Sequence, residues 1–171
     1  LRQARAVGTE VALQALPTPP YMQQTAELVQ AMWSEVGFKV RFNLYDEVAL
    51  NQNRRERAFH ADSTAASYRW DPDGWFSRNI LSTAPATKAN SGFHNEPADR
   101  LIAEARRTAD RKRRLELYAV IDSIVNAELP ILYLHHLTLL EAGSMRLKGY
   151  RPSVSGAFSI RGGGIRTAWM E

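Results

Sequence analysis

At 171 residues, 44% of them apolar, the chain has the length of one ordinary domain and enough apolar material for a core, which excludes a disordered tail. The absence of cysteine excludes disulfides and thiolate chemistry, and with only His60, His94, His135 and His136 left as nitrogen ligands, no structural zinc site is expected. A balance of 22 basic to 18 acidic residues is too even to require a nucleic-acid partner.

No apolar run is long enough to cross a bilayer, and no secretory leader pattern opens the sequence. The chain is therefore expected to be cytosolic or to lack the segment that addresses it. Val11, Leu13 and Ala15 alternate with Ala12, Gln14 and Leu16, which predicts a half-buried or buried strand. Thr18-Pro19-Pro20 stops it, with Thr18 placed to cap a helix whose first turn tolerates proline. Met22, Ala26, Val29, Trp33 and Val36 then recur at helical spacing on one face. Gly37 stands where the helix needs a left-handed residue, and Lys39 to Leu44 follows as a strand with Val40, Phe42 and Leu44 inward. Strand, helix and strand with short connections predict parallel neighbours and an α/β layered domain, a sheet flanked by helices.

Asp46 is placed to cap a polar helix running to Arg57, and Phe59 to Ser67 is small and β-compatible. It leads into Tyr-Arg-Trp-Asp-Pro-Asp-Gly-Trp-Phe-Ser-Arg-Asn, residues 68–79, the densest concentration of aromatic rings and carboxylates in the chain. Pro72 presets its own φ and Gly74 tolerates conformations closed to other residues, so a fixed turn is predicted here. Aromatics beside such a turn offer rigid contact area, as one wall of a cleft or as anchors of a loop. In open α/β sheets ligands sit outside the carboxyl ends of the strands, which favours the cleft. Tyr68, Trp70, Asp71 and Trp75 are the candidate ligand-contacting residues.

Ser82 to Glu96 is too punctuated for a regular element. Pro97 opens a helix with Leu101, Ile102 and Ala105 as its stripe, and a second helix after Asp110 carries Leu117, Tyr118, Ile121, Ile124 and Val125; the two are expected to cover the sheet. Arg111-Lys112-Arg113-Arg114 in its first turn reads as a solvated face, since phosphate binding needs a broader basic surface. Ile131 to Leu140 reads as a strand buried on both faces, with His135 and His136 pointing to opposite sides and so unable to pair as ligands. Beyond Gly143, short strand-like pieces separated by glycine and proline have no core of their own.

No nucleophile elbow, no pair of metal-binding histidines at i and i+4 and no phosphate loop occurs, and Asp71 and Asp73 lack the defined separation that carboxylate chemistry needs. No catalytic residue, metal or cofactor is assigned. Several segments in order resemble the extracellular solute-binding proteins of the peptide and nickel type, receptors of bacterial ABC importers. They are Trp33 to Val40, the Trp70-Asp71-Pro72-Asp73-Gly74-Trp75 run, Gly92 to Leu101, Ala105 through Tyr118, Glu128-Leu129-Pro130-Ile131 and Leu147-Lys148-Gly149-Tyr150.

The resemblance implies a lobe of the type II periplasmic-binding-protein-like fold and a periplasmic, non-enzymatic receptor with an inner-membrane permease as partner. It implies that residues 1–142 belong to the carboxy-terminal lobe of two. Residues 143–171 are then a tail returning to the other lobe, and a free tail of this kind is expected to fold back on its own lobe, to be disordered, or to pair with a second copy. In peptide-binding members an acidic residue four positions before the turn proline meets the ligand's amine. Tyr68 stands there, so the implied solute is left open among peptides, sugar-like molecules and metal complexes. The alternative from another class is a small basic α/β protein associated with nucleic acid.

Overall fold

The computed structural model describes residues 6–65, 71–138, 140–152 and 165–171. It divides into two units, Leu1–Ala66 with Pro85–Gly92 and Ser67–Ala84 with Phe93–Glu171.

In the first unit, β1 (Glu10–Ala15) lies between β2 (Lys39–Leu44) and β3 (Ala61–Ser63) and pairs parallel with both. The register puts Leu13 beside Phe42 on one side and Ala61 on the other. A parallel neighbour cannot be reached through a tight turn, so the chain crosses over through α1 (Pro20–Glu35). Leu13, Ala15 and Ala26 are buried where the helix meets the sheet, with Val29, Val40, Phe42 and Ala61 packed around them. The helix is tied to the strands by Gln30 Nε2, which donates to the Val40 carbonyl at 3.2 Å, and by Ser63 Oγ, which donates to the Met22 carbonyl at 3.2 Å. Gly37 closes it at φ +105°, in the region that L side chains avoid.

Three expectations for this unit are corrected. Pro19, without a side-chain cap, begins the helix in place of Thr18, because proline at N1 leaves one fewer amide to satisfy. Val36 and Leu44 are exposed, since each lies at the end of its element, past the surface that its partner covers. Residues 82–96 are not irregular throughout, because Pro85–Asn90 forms a short helix, α4, with Thr87 buried.

The other face of the sheet is polar. Gln14, almost fully buried, donates to Asp62 and accepts from Asn53, and Arg54 pairs with Asp62 at 2.6 Å. Arg54 and Asn53 come from α2 (Glu47–Glu56), which Asp46 caps as expected by accepting from the Ala49 amide at 2.9 Å.

The second unit is built on α3 (Asp73–Asn79), α5 (Glu96–Arg107) and α6 (Arg111–Glu128). Phe76, Ile80, Ala98, Ile102, Ala105, Leu117, Tyr118, Ile121 and Val125 form its buried core. The stripes expected on α5 and α6 are the buried ones, but they close on each other and on α3 in a core without strand residues, so the tandem helices have a core separate from that of the sheet. Asn95 and Asp110 cap the two helices, accepting from the amides of Ala98 at 2.8 Å and Arg113 at 2.7 Å.

The expected fixed turn at Pro72-Asp73-Gly74 is instead the start of α3: Pro72 is helical at φ −53° and Gly74 needs no special conformation. Ile131 to Leu140 is likewise corrected. Residues 131–138 pair with no strand among the described residues, and Leu132, Leu134, Leu137 and Leu140 stand exposed, Leu140 at 91%. A strand exists only where a partner edge is supplied, and apolar composition alone does not supply one. Farther on, Leu147–Lys148 (β4) pairs antiparallel with Trp169–Met170 (β5).

Candidate ligand-contacting stretch

Of the four candidate residues, Tyr68 and Trp70 lie outside the described residues. Asp71 and Trp75 flank the start of α3 within the second unit. Asp71 has helix-cap geometry, its Oδ1 accepting from the Asp73 amide at 2.8 Å and its carbonyl from the Gly74 amide at 3.1 Å. Both carboxylate oxygens also accept from the Arg114 guanidinium, at 2.7 Å each. This is a two-pronged ion pair, which holds direction as well as distance.

Arg114 is held in turn. Its Nε donates to the Ala105 carbonyl at 3.2 Å, its guanidinium donates to the Tyr118 hydroxyl at 3.3 Å, and its Cζ lies 5.4 Å from the centroid of the Tyr118 ring. Tyr118 stacks on Phe76 of α3 with centroids 5.3 Å apart and planes at 12°. Asp73 completes the cluster, its buried Oδ1 without a hydrogen bond but 3.5 Å from Arg106 Nε.

Trp75 packs on the helical core with part of its indole accessible. Its Nε1 donates to the Tyr133 hydroxyl at 2.8 Å, and the two rings meet tilted at 49° with centroids 5.9 Å apart. The described part of the stretch thus combines an accessible aromatic pair with a carboxylate whose charge is already matched. Trp75 can stack on a flat or apolar group, whereas Asp71 would have to leave Arg114 to bind a cation.

Protonation follows from these contacts. The Arg114 fork, then the Asp73 amide, hold the Asp71 carboxyl below its ordinary range. The Arg114 guanidinium is pushed up, chiefly by Asp71. Burial pushes the Tyr118 and Tyr133 phenols up, against the opposing hydrogen bonds from Arg114 and Trp75. All of these groups keep their ordinary charge at neutral pH.

Arg114, Tyr118 and Tyr133 are absent from the sequence-based assignment. Arg114 had the look of a solvated basic face, and one signal against that was Tyr118 four residues on, on the same side of the helix. Arg113 also pairs, with Glu104 at 2.8 Å and Glu116 at 3.6 Å, so two of the four cations in the basic run are neutralised within the fold. Among the described residues, no three His, Asp or Glu side chains gather as a metal site, and no helix is long and apolar enough to cross a membrane. His135 and His136 lie in the unpaired segment, and His60 Nδ1 accepts from the Ala12 amide at 2.9 Å.

No protein-family model matches the chain. In sequence it is 28% identical over 159 residues to the dipeptide-binding protein of Pseudomonas aeruginosa, covering 86% of this chain and 29% of that protein. It is 27% identical over 155 residues to the dipeptide-binding protein of Escherichia coli, covering 84% of this chain and 28% of that protein. In fold it is similar to a dipeptide-binding protein from Pseudoalteromonas in complex with Met-Leu, with a TM-score of 0.76, 23% identity, and 96% of this chain and 32% of that one covered. The chain therefore spans under a third of the length of these proteins, which bind solutes and are not enzymes. In sequence it is thus similar to extracellular solute-binding proteins of the peptide type, and its fold is of the periplasmic-binding-protein class.

Proposed function

We propose that the chain is part of the substrate-binding component of a bacterial ABC importer. The parent captures a peptide or similar small solute between two lobes in the periplasm and delivers it to the inner-membrane permease. The observation that carries this reading is the sequence likeness to the dipeptide-binding protein of Pseudomonas aeruginosa, which runs through 86% of the chain. In this reading residues 1–142 belong to the carboxy-terminal lobe, and 143–171 return toward the other.

Tyr68, Trp70 and Trp75 supply contact area to the solute, and Asp71 holds the start of the helix that carries Trp75. Trp75 supports this role, because part of its indole stays accessible while its N–H is anchored. With Tyr68 in the position of the amine-binding acid, peptides are one class of solute among several, metal complexes and sugar-like molecules included.

The test is isothermal titration of the longer parent with Met-Leu, alongside mass spectrometry of any solute released on denaturation. Binding of Met-Leu, or release of another small solute, is the expected result. A parent that binds no Met-Leu and releases no solute overturns the reading.

A further inference from the structure

Asp71 stands two residues before α3 and accepts from the amides of Asp73 and Gly74 in its first turn, so whatever fixes Asp71 fixes the start of the helix that carries Trp75. Its partner Arg114 comes from α6, 43 residues away, and meets it in a form that a solvated cation does not adopt. Two guanidinium nitrogens face the two carboxylate oxygens, the third donates to the Ala105 carbonyl, and the Tyr118 ring lies under the group. Such a fork is defined in direction, which a lysine ammonium on the same helix would not be. Side-chain exposures of 27% for Arg114 and 49% for Asp71 mean that the pair contributes little to overall stability. Its geometric effect falls on one place, the backbone that leads from Asp71 into α3.

We infer that Arg114 is a positioning residue for the solute site, clamping Asp71 so that the start of α3, and with it Trp75, is held in place before the solute arrives. The inference rests on the reading of the stretch as a solute-contacting wall. Pre-ordering of contact groups improves affinity because ordering them is otherwise charged against binding. Arg106, 3.5 Å from Asp73, acts on the same helix start, so the clamp is anchored from both α5 and α6.

The experiment uses the longer parent with Asp71→Asn, Arg114→Lys and the double variant, with Met-Leu as probe. Each single variant is expected to keep its melting temperature within about 3 °C and to bind at least about tenfold more weakly. The double variant is expected to be no worse than the worse single, since both remove one contact. A second arm needs no solute: amide exchange in the peptide covering residues 71–76 is expected to quicken in both singles, with α5 unchanged.

Unchanged affinity in both singles, additive losses in the double variant, or unchanged exchange in 71–76 overturns the inference. A fall in affinity matched by a large fall in melting temperature overturns it as well, because the pair would then serve the fold as a whole. If the unsubstituted parent does not bind Met-Leu, the peptide reading fails, and the exchange arm alone decides the clamp.

Discussion

Trp75 and Tyr133 hold each other in place across 58 residues of chain, through one hydrogen bond and one ring contact. Tyr133→Phe keeps the ring and removes the acceptor, so its cost is expected to be about 1 kcal/mol, read from urea unfolding of the parent. Trp75→Ala removes ring and anchor together. It is expected to weaken solute binding by more than about tenfold, as loss of an aromatic anchor does, and titration of the folded variant checks this; Trp70→Ala is expected to do the same. Asp71 gives a pH signature at the same scale. Its folded pKa is depressed, so its contribution is fully present above the ordinary value of 3.8 and is lost as pH falls from there through the lower folded value. Solvent screening at a half-exposed carboxylate holds that contribution to about 1 kcal/mol. The stability gap between the parent and its Asp71→Asn variant is therefore expected to be constant near neutrality and to close under acid, as measured by unfolding at stepped pH.

The elements differ in how completely each satisfies itself. The helix α5 has its cap, its buried stripe and its neighbour within the second unit, so Asn95→Ala is expected to cost about 1 kcal/mol in a thermal melt, the ordinary value of an N-cap. Residues 131–138 are only partly satisfied within the chain: Tyr133 bonds Trp75 and Ile131 packs on the helical core, whereas Leu132, Leu134 and Leu137 are exposed and no strand lies alongside among the described residues. Apolar extended segments of this kind seek cover. The chain on its own is accordingly expected to associate with rising concentration in light scattering, and the same amides are expected to be protected from exchange in the parent. A monomer at all concentrations would refute the first expectation. In the tail, β4 and β5 pair within the chain, with Gly149 at φ +68° beneath the Trp169 ring and the Thr167 carbonyl. A side chain at 149 would run into both, so Gly149→Ala is expected to release this pairing. Val154, Phe158 and Ile160 of the tail lie outside the described residues.

For the whole molecule the question is how much of a site this chain would hold in the proposed receptor. A closed site surrounds about 70 to 90% of a small solute, and in the proposed receptor that enclosure comes from two lobes. If the parent binds at micromolar affinity, about −8 kcal/mol, loss of a third of it leaves a dissociation constant near or above the millimolar range. The chain alone is thus expected to give no measurable heat with Met-Leu under conditions where the parent titrates. Equal affinity in both would place the site wholly within these 171 residues and end the two-lobe account.

What the sequence by itself determined was much of what near neighbours in the chain set, though not the Thr18 cap, the turn at Pro72 or the helix at Pro85. The strand, helix and strand from Glu10 to Leu44, the closing Gly37, the Asp46 cap and the stripes of α5 and α6 all follow from spacing over a few residues, and all are where the pattern puts them. The aromatic stretch was visible for the same reason, as a local concentration of rings and carboxylates. Only the tertiary structure decided what those carboxylates do, because Arg114 and Tyr133 approach from 43 and 58 residues away and no local spacing encodes the meeting. It also decided that residues 131–138 pair with no strand among the described residues. Helical hydrogen bonds close within a segment, whereas a strand's backbone is satisfied only by a second edge, and apolar sequence carries no information on whether that edge is present.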